Sequence, residues 1–118
     1  MRTILILLAA LTLAMVPQAA SAHAHLDHSV PAVGSTVTTA PQDVTLTFTQ
    51  NLEAAFSGVE ITDASGARVD QGEAKIGGNT MQIGLKTLVP GTYTVHWHAV
   101  SVDTHKTQGD FSFSLGSQ

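Results

Sequence analysis

The chain has 118 residues and no cysteine, which excludes disulfide stapling, a thiolate zinc site and a cysteine nucleophile. Five Lys and Arg stand scattered against nine Asp and Glu, so there is no basic footprint for nucleic acid or anionic lipid. The length supports one small domain whose stability must come from core burial and any metal it binds.

The first segment reads as a leader rather than as part of the fold. Arg2 gives a positive start, Ile4 to Val16 form an apolar run broken only by Thr12, and Pro17 leads to Ala20-Ser21-Ala22. That small-residue ending is a signal-peptidase pattern, and the run is shorter than the about 20 residues of a membrane span. The expectation is a cleaved signal peptide over residues 1–22, a domain over residues 23–118 and no stable membrane insertion after cleavage. Without Arg2 the remaining chain carries four Lys and Arg and a formal charge of −5.

The rest alternates apolar and polar residues with period two, the pattern of half-buried strands. An opening strand is expected near Leu26 to Val33. Val44, Leu46 and Phe48 mark the next, followed by Val59 and Ile61, a short strand near Val69 to Ile76, and Met81, Ile83 and Leu85. Tyr93, Val95, Trp97 and Ala99 mark another, and Phe111, Phe113 and Leu115 the last. Pro31 to Gly34, Ala40-Pro41, Ala64-Ser65-Gly66, Gly77-Gly78-Asn79 and Pro90-Gly91 separate them as turns. Glu53 to Phe56 suits one helical turn, and no helical periodicity lasts longer. Short strands with regular turns indicate an all-β antiparallel sandwich or Greek-key barrel. Phe48, Phe56, Tyr93, Trp97, Phe111 and Phe113 mostly keep the apolar phase, so the aromatics read as core.

Six histidines fall in two groups: His23, His25 and His28 at the expected new N-terminus, and His96, His98 and His105 late in the chain. Cleavage before His23 would expose an α-amine beside an imidazole, and the two nitrogens can close a ring on one metal ion. The amine titrates at about 7.7–8.0, near working pH. His25 would be third in the processed chain, and a free amine with histidine at position three is also a Cu(II) chelator through the intervening deprotonated amides. The N-terminus therefore offers two competing copper modes. Nitrogen-rich tetragonal sites favour Cu(II) over Zn(II) and Ni(II). Asp103 and His105 are two apart, and in an extended segment they would project to one side. An isolated pair of this kind is more often a turn aspartate beside a surface histidine. His96 and His98 are out of phase with the core residues and face outward, more simply as a polar strand face than as a second metal site. Asp27 and His28 read as surface groups.

Three stretches carry a family resemblance. The opening His23-Ala24-His25-Leu26 is followed by Ser29-Val30-Pro31-Ala32-Val33-Gly34-Ser35. Leu46-Thr47-Phe48-Thr49 and Phe56-Ser57-Gly58-Val59 occupy the middle. Gly91-Thr92-Tyr93-Thr94-Val95, Trp97 and Val100-Ser101-Val102-Asp103-Thr104-His105 lead to Gly109, Phe111 and Phe113. Over residues 23–115 the chain resembles the CopC family of periplasmic copper-resistance proteins. The resemblance implies a seven-stranded Greek-key β-barrel or immunoglobulin-like sandwich. It also implies a Cu(II) site built from the N-terminal amine, His23, Asp103 and His105, with His25 close by as ligand or outer contact. The implied location is the periplasm, and the implied partners are the copper ion and an inner-membrane copper transporter of the CopD type. Two departures stand out. Gln50 replaces a glutamate common in the family, and the processed chain keeps only Met81, which argues against a thioether Cu(I) site.

The leading expectation is a Cu(II) carrier or buffer serving copper resistance and homeostasis, not an enzyme. A metal-independent interaction sandwich ranks second. A histidine-brace copper oxidase, resembling lytic polysaccharide monooxygenases, ranks third because Asp103 would fill a position that oxygen chemistry needs. Fold alone does not separate the three.

Overall fold

A half-buried strand must pair its backbone with a neighbour and cover one face, and the architecture follows from how these strands meet that demand. The computed structural model describes residues 24–117. The expected leader, its cleavage point and His23 lie outside the described residues.

Eight strands are found among the described residues: β1 (Leu26–Val30), β2 (Thr36–Val37), β3 (Asp43–Phe48), β4 (Gly58–Thr62), β5 (Asp70–Gly77), β6 (Thr80–Leu85), β7 (Gly91–Val100) and β8 (Lys106–Leu115). A short 3-10 turn, Ala54–Phe56, joins β3 to β4. One sheet has the order β1-β3-β6-β5 and the other β2-β8-β7-β4. This is the two-sheet arrangement of an immunoglobulin-like sandwich. All pairings are antiparallel except the two-residue contact of β2 with β8.

The inward residues of both sheets form one core. Val44, Leu46 and Phe48 of β3 and Met81, Ile83 and Leu85 of β6 meet Val59 and Ile61 of β4, Tyr93, Val95 and Ala99 of β7, and Phe111, Phe113 and Leu115 of β8. Burying each such large side chain contributes about 1.5–3 kcal/mol. Trp97 closes one end of this layer, edge-on to Phe48 with ring centroids 5.1 Å apart. It lies across Gly109, where a Cβ would come within 2.7 Å of the indole, so only glycine fits opposite it. Tyr93 stacks on Phe113 at 5.6 Å and donates its hydroxyl proton to the Val89 carbonyl. That is the tyrosine corner typical of such sandwiches.

The opening segment differs from the single strand expected over Leu26 to Val33. A bulge between Leu26 and His28 reverses the side-chain phase. Ser29 is buried, with its hydroxyl on the Pro31 carbonyl at 2.8 Å, and Val30 is 65% exposed. The bulge also lets adjacent Asp27 and His28 meet at 2.8 Å on the surface. After Val30 the chain turns and joins the other sheet as β2, so the expected seven strands become eight. Phe56, expected in the core, is 66% exposed at the end of the 3-10 turn.

One buried charge joins the two sheets at their edges. Asp70, at the start of β5, accepts the Ile61 N–H of edge strand β4 at 2.9 Å. Arg68 grips the same carboxylate with Nε at 3.2 Å and Nη2 at 2.7 Å. Burial pushes the Asp70 carboxyl up, but the Arg68 hydrogen bond, the Ile61 N–H and the guanidinium charge outweigh it and hold the group below its ordinary 3.8. A carboxyl depressed on folding stabilises the fold above its unfolded pKa, and that contribution is lost as pH falls through the folded value. Unfolding free energy is therefore expected to be level above about pH 5 and to decline towards pH 2. Asp70→Asn is expected to cost about 1–3 kcal/mol at neutral pH and to flatten that decline in urea denaturation. Equal acid slopes in the two proteins would remove Asp70 as its source.

Candidate metal centre

β7 and β8 pair over their full lengths, which leaves residues 101–105 to reverse the chain at one end of the sandwich. Ser101, the last inward residue of this phase, is 1% exposed. Its N–H donates to the His105 carbonyl at 3.0 Å, and its carbonyl accepts the Thr104 N–H at 2.8 Å. Closing so short a turn requires a left-handed residue, and Thr104 has φ +73°. A β-branched residue is disfavoured there.

The segment is thus a turn, not the extended stretch in which Asp103 and His105 were expected to point the same way. The turn brings them together nonetheless: Asp103 Oδ2 lies 3.2 Å from His105 Nδ1. The Ser101 hydroxyl donates to Asp103 Oδ1 and orients the carboxylate. That hydrogen bond lowers the Asp103 pKa; burial opposes it, and the His105 imidazole adds to the lowering. The site therefore presents an ionised carboxylate beside an imidazole. Both side chains are about half exposed, at 43% and 48%, which leaves them accessible from solvent.

Two further segments reach this end. After β3, the Asn51 carbonyl accepts the Val102 N–H at 3.1 Å, Leu52 bridges to Ser101, and the Glu53 N–H donates to the Val100 carbonyl at 2.7 Å. Gln50 is exposed within this segment. The other is the start of the described chain. Ala24 is fully buried, and its carbonyl accepts the Thr107 Oγ1 proton at 2.6 Å. The His25 N–H donates to Thr49 Oγ1 at 3.0 Å, and the His25 carbonyl accepts the Thr49 N–H at 2.9 Å. Thr107 is two residues beyond His105, so the backbone at Ala24 lies at the same end as the Asp103–His105 pair.

Asp103 and His105 are the expected site residues that a direct contact joins. His25 sits at this end by its backbone, and His23 lies outside the described residues. Among the described residues, no three His, Asp or Glu side chains form a group able to hold a metal. His96 and His98 do face outward, as expected, and do not converge. His96 Nδ1 contacts Asp110 Oδ1 at 2.7 Å and Nε2 contacts Thr62 Oγ1 at 3.1 Å. The His98 ring lies over Gly58, where a Cβ would approach within 2.7 Å. Sequence reasoning missed Ser101, Thr49 and Thr107. Ser101 left a signal, since it continues the inward phase of Ala99; the two threonines left none.

A model of the CopC domain matches residues 26–116. The chain belongs to the CopC family. YobA of Escherichia coli strain K12 is 43% identical over 112 residues, covering 92% of this chain and 90% of YobA. The copper transport protein CutJ of Bacillus subtilis strain 168 is 32% identical over 110 residues, which are 90% of this chain but 20% of CutJ. Among solved structures, PcoC from Escherichia coli, described as a methionine-rich copper resistance protein, superposes with a TM-score of 0.70 at 36% identity. That match covers 80% of this chain and 99% of PcoC. CopC membership and these relatives support a copper-related function. This chain departs from a methionine-rich CopC protein, because Met81 of β6 is fully buried.

The turn's dependence on a left-handed residue yields a direct check. Thr104→Gly is expected to stay within about 1 kcal/mol of wild type or exceed it, since glycine takes this φ freely. Thr104→Pro cannot adopt a positive φ and loses the N–H that bonds Ser101, at a cost of about 3 kcal/mol. Urea denaturation of both variants measures this, and a proline variant as stable as wild type would refute the turn.

Proposed function

We propose that this protein is a periplasmic carrier and buffer of Cu(II) that contributes to copper resistance and homeostasis. Export removes residues 1–22 and leaves His23 with a free α-amine. The amine and the His23 imidazole bind copper as a chelating pair, and Asp103 and His105 complete the site, with His25 beside it as ligand or outer contact. The observation that carries this reading is the contact of Asp103 with His105 in a turn at the end of the sandwich where the described residues begin.

The chemistry of the donors supports it. Amine, imidazole and carboxylate suit Cu(II), whereas a Cu(I) site would want thioethers, and Met81 is in the core. Asp103 Oδ2 faces His105 Nδ1. A proton held there leaves Nε2 as the lone-pair nitrogen, the arrangement that carboxylate–imidazole pairs use to orient a metal-binding ring. Copper is the cargo, and the half-exposed site lets it enter and leave. We assign no enzymatic step. CutJ, a copper transport protein in which the matched region is one fifth of the length, supports delivery to or from an inner-membrane copper transporter of the CopD type.

Electron paramagnetic resonance with one equivalent of Cu(II) tests the ligand set. The processed protein is expected to show equatorial nitrogen coupling. One glycine added before His23, or His105→Ala, is expected to lower affinity at least about tenfold, the least that even outer contacts of a metal cost. Unchanged affinity in the extended protein would exclude the amine. Binding should also weaken as pH falls through the imidazole range near about 6.5, because copper needs unprotonated nitrogens. A level affinity between pH 7 and 5 would exclude the histidines.

A further inference from the structure

The two hydrogen bonds at Ala24 and His25 act on one chemical unit. The Ala24 carbonyl and the His25 N–H are the two ends of the same peptide bond. Thr107 Oγ1 holds the carbonyl at 2.6 Å from the second sheet, and Thr49 Oγ1 holds the N–H at 3.0 Å from the end of β3 in the first. A peptide unit is planar, so pinning both ends fixes its position and rotation. The fully buried Ala24 methyl adds a third point. This peptide lies before the first ladder pair, Leu26 with Phe48, and the Thr49 N–H holds the next carbonyl, that of His25, at 2.9 Å. The two threonine hydroxyls hold the peptide unit itself.

A processed chain beginning His23-Ala24-His25 has two ways to bind Cu(II). In one, the α-amine and the His23 imidazole bind and the backbone amides keep their protons. In the other, the α-amine, the Ala24 and His25 amide nitrogens and the His25 imidazole surround the metal in a plane. Each amide proton passes to water as its nitrogen bonds the ion. That second mode needs the His25 nitrogen to face the metal, but it faces Thr49 Oγ1. It also needs residues 23–25 to wrap around the ion, which would pull the Ala24 methyl from the core and its carbonyl from Thr107.

We propose that Thr49 and Thr107 are positioning residues that clamp the Ala24–His25 peptide and so forbid the amide-bound chelate, selecting the amine–imidazole mode for Cu(II) and excluding the square-planar Ni(II) complex. This rests on the proposed copper site with its free amine at His23. Square-planar Ni(II) is the sensitive probe, because its yellow diamagnetic complex with such N-termini depends on the deprotonated amides.

The experiment uses processed full-length protein, with folding checked by far-ultraviolet circular dichroism. Wild type is expected to bind Cu(II) without amide coordination and to form no yellow complex with one equivalent of Ni(II) at neutral pH. Thr49→Val/Thr107→Val is expected to form it stoichiometrically and to show a blue-shifted Cu(II) d–d band. Adding His25→Ala should abolish both changes, and Thr49→Ser/Thr107→Ser, which keeps the hydroxyls, should behave as wild type. Amide-bound Ni(II) in wild type, or a valine variant spectrally identical to wild type, would overturn the clamp. If the valine pair fails to fold, Thr107→Val alone decides by the same spectra. Wild type that binds no Cu(II) at all would instead sink the copper site itself.

Discussion

The pairing of β7 with β8 is the constraint from which the rest of the molecule follows. Gly91 through Val100 run opposite Leu115 through Lys106 without a break. That register sets Tyr93 beside Phe113 and Trp97 over Gly109, and thereby fixes the inner face of the second sheet. It also leaves residues 101–105 to reverse direction, which forces the left-handed Thr104. A shift of one residue would turn the side chains of the shifted strand to the wrong face and change the length of the turn that carries Asp103 and His105. Site and core therefore share one determinant.

Around this ladder the two sheets share one apolar core and most of the chain connections cross between them, and polar contacts tie their margins. Asp70 bridges the edge strands β4 and β5, a place where an open edge would otherwise offer unpaired donors. Elsewhere, Thr107 of the second sheet and Thr49 after β3 of the first reach one peptide unit. The sandwich is thus closed at Ala24 and His25 by hydroxyls and at one edge by a carboxylate. Neither contact is visible as a pattern along the sequence.

What was legible in the sequence was what repeats. Strands β3, β4, β6, β7 and β8 each bury alternate residues, so their existence and inward faces could be read directly. β2 could not, because a two-residue parallel contact has no period. The phase of β1 was hidden by its bulge, which puts Ser29 inside and Val30 outside. Phe56 reads as core with the other aromatics, which mostly keep the apolar phase, yet the 3-10 turn carries it outward. The nearness of Asp103 to His105 was expected on the grounds of an extended backbone and arises from a turn. Spacing identified the pair, while the reason for it needed the φ of Thr104. Tertiary tethers such as Thr107 have no local signature at all.

The turn is closed by the chain's own groups. Its backbone bonds close on themselves through Ser101, Thr104 and His105, and among the described residues no buried side-chain nitrogen or oxygen lacks a partner. The geometry that joins Asp103 to His105 is therefore encoded in the chain's own hydrogen bonds. A change at Ser101 would be felt by both side chains at once, because its hydroxyl orients the carboxylate while its backbone closes the turn.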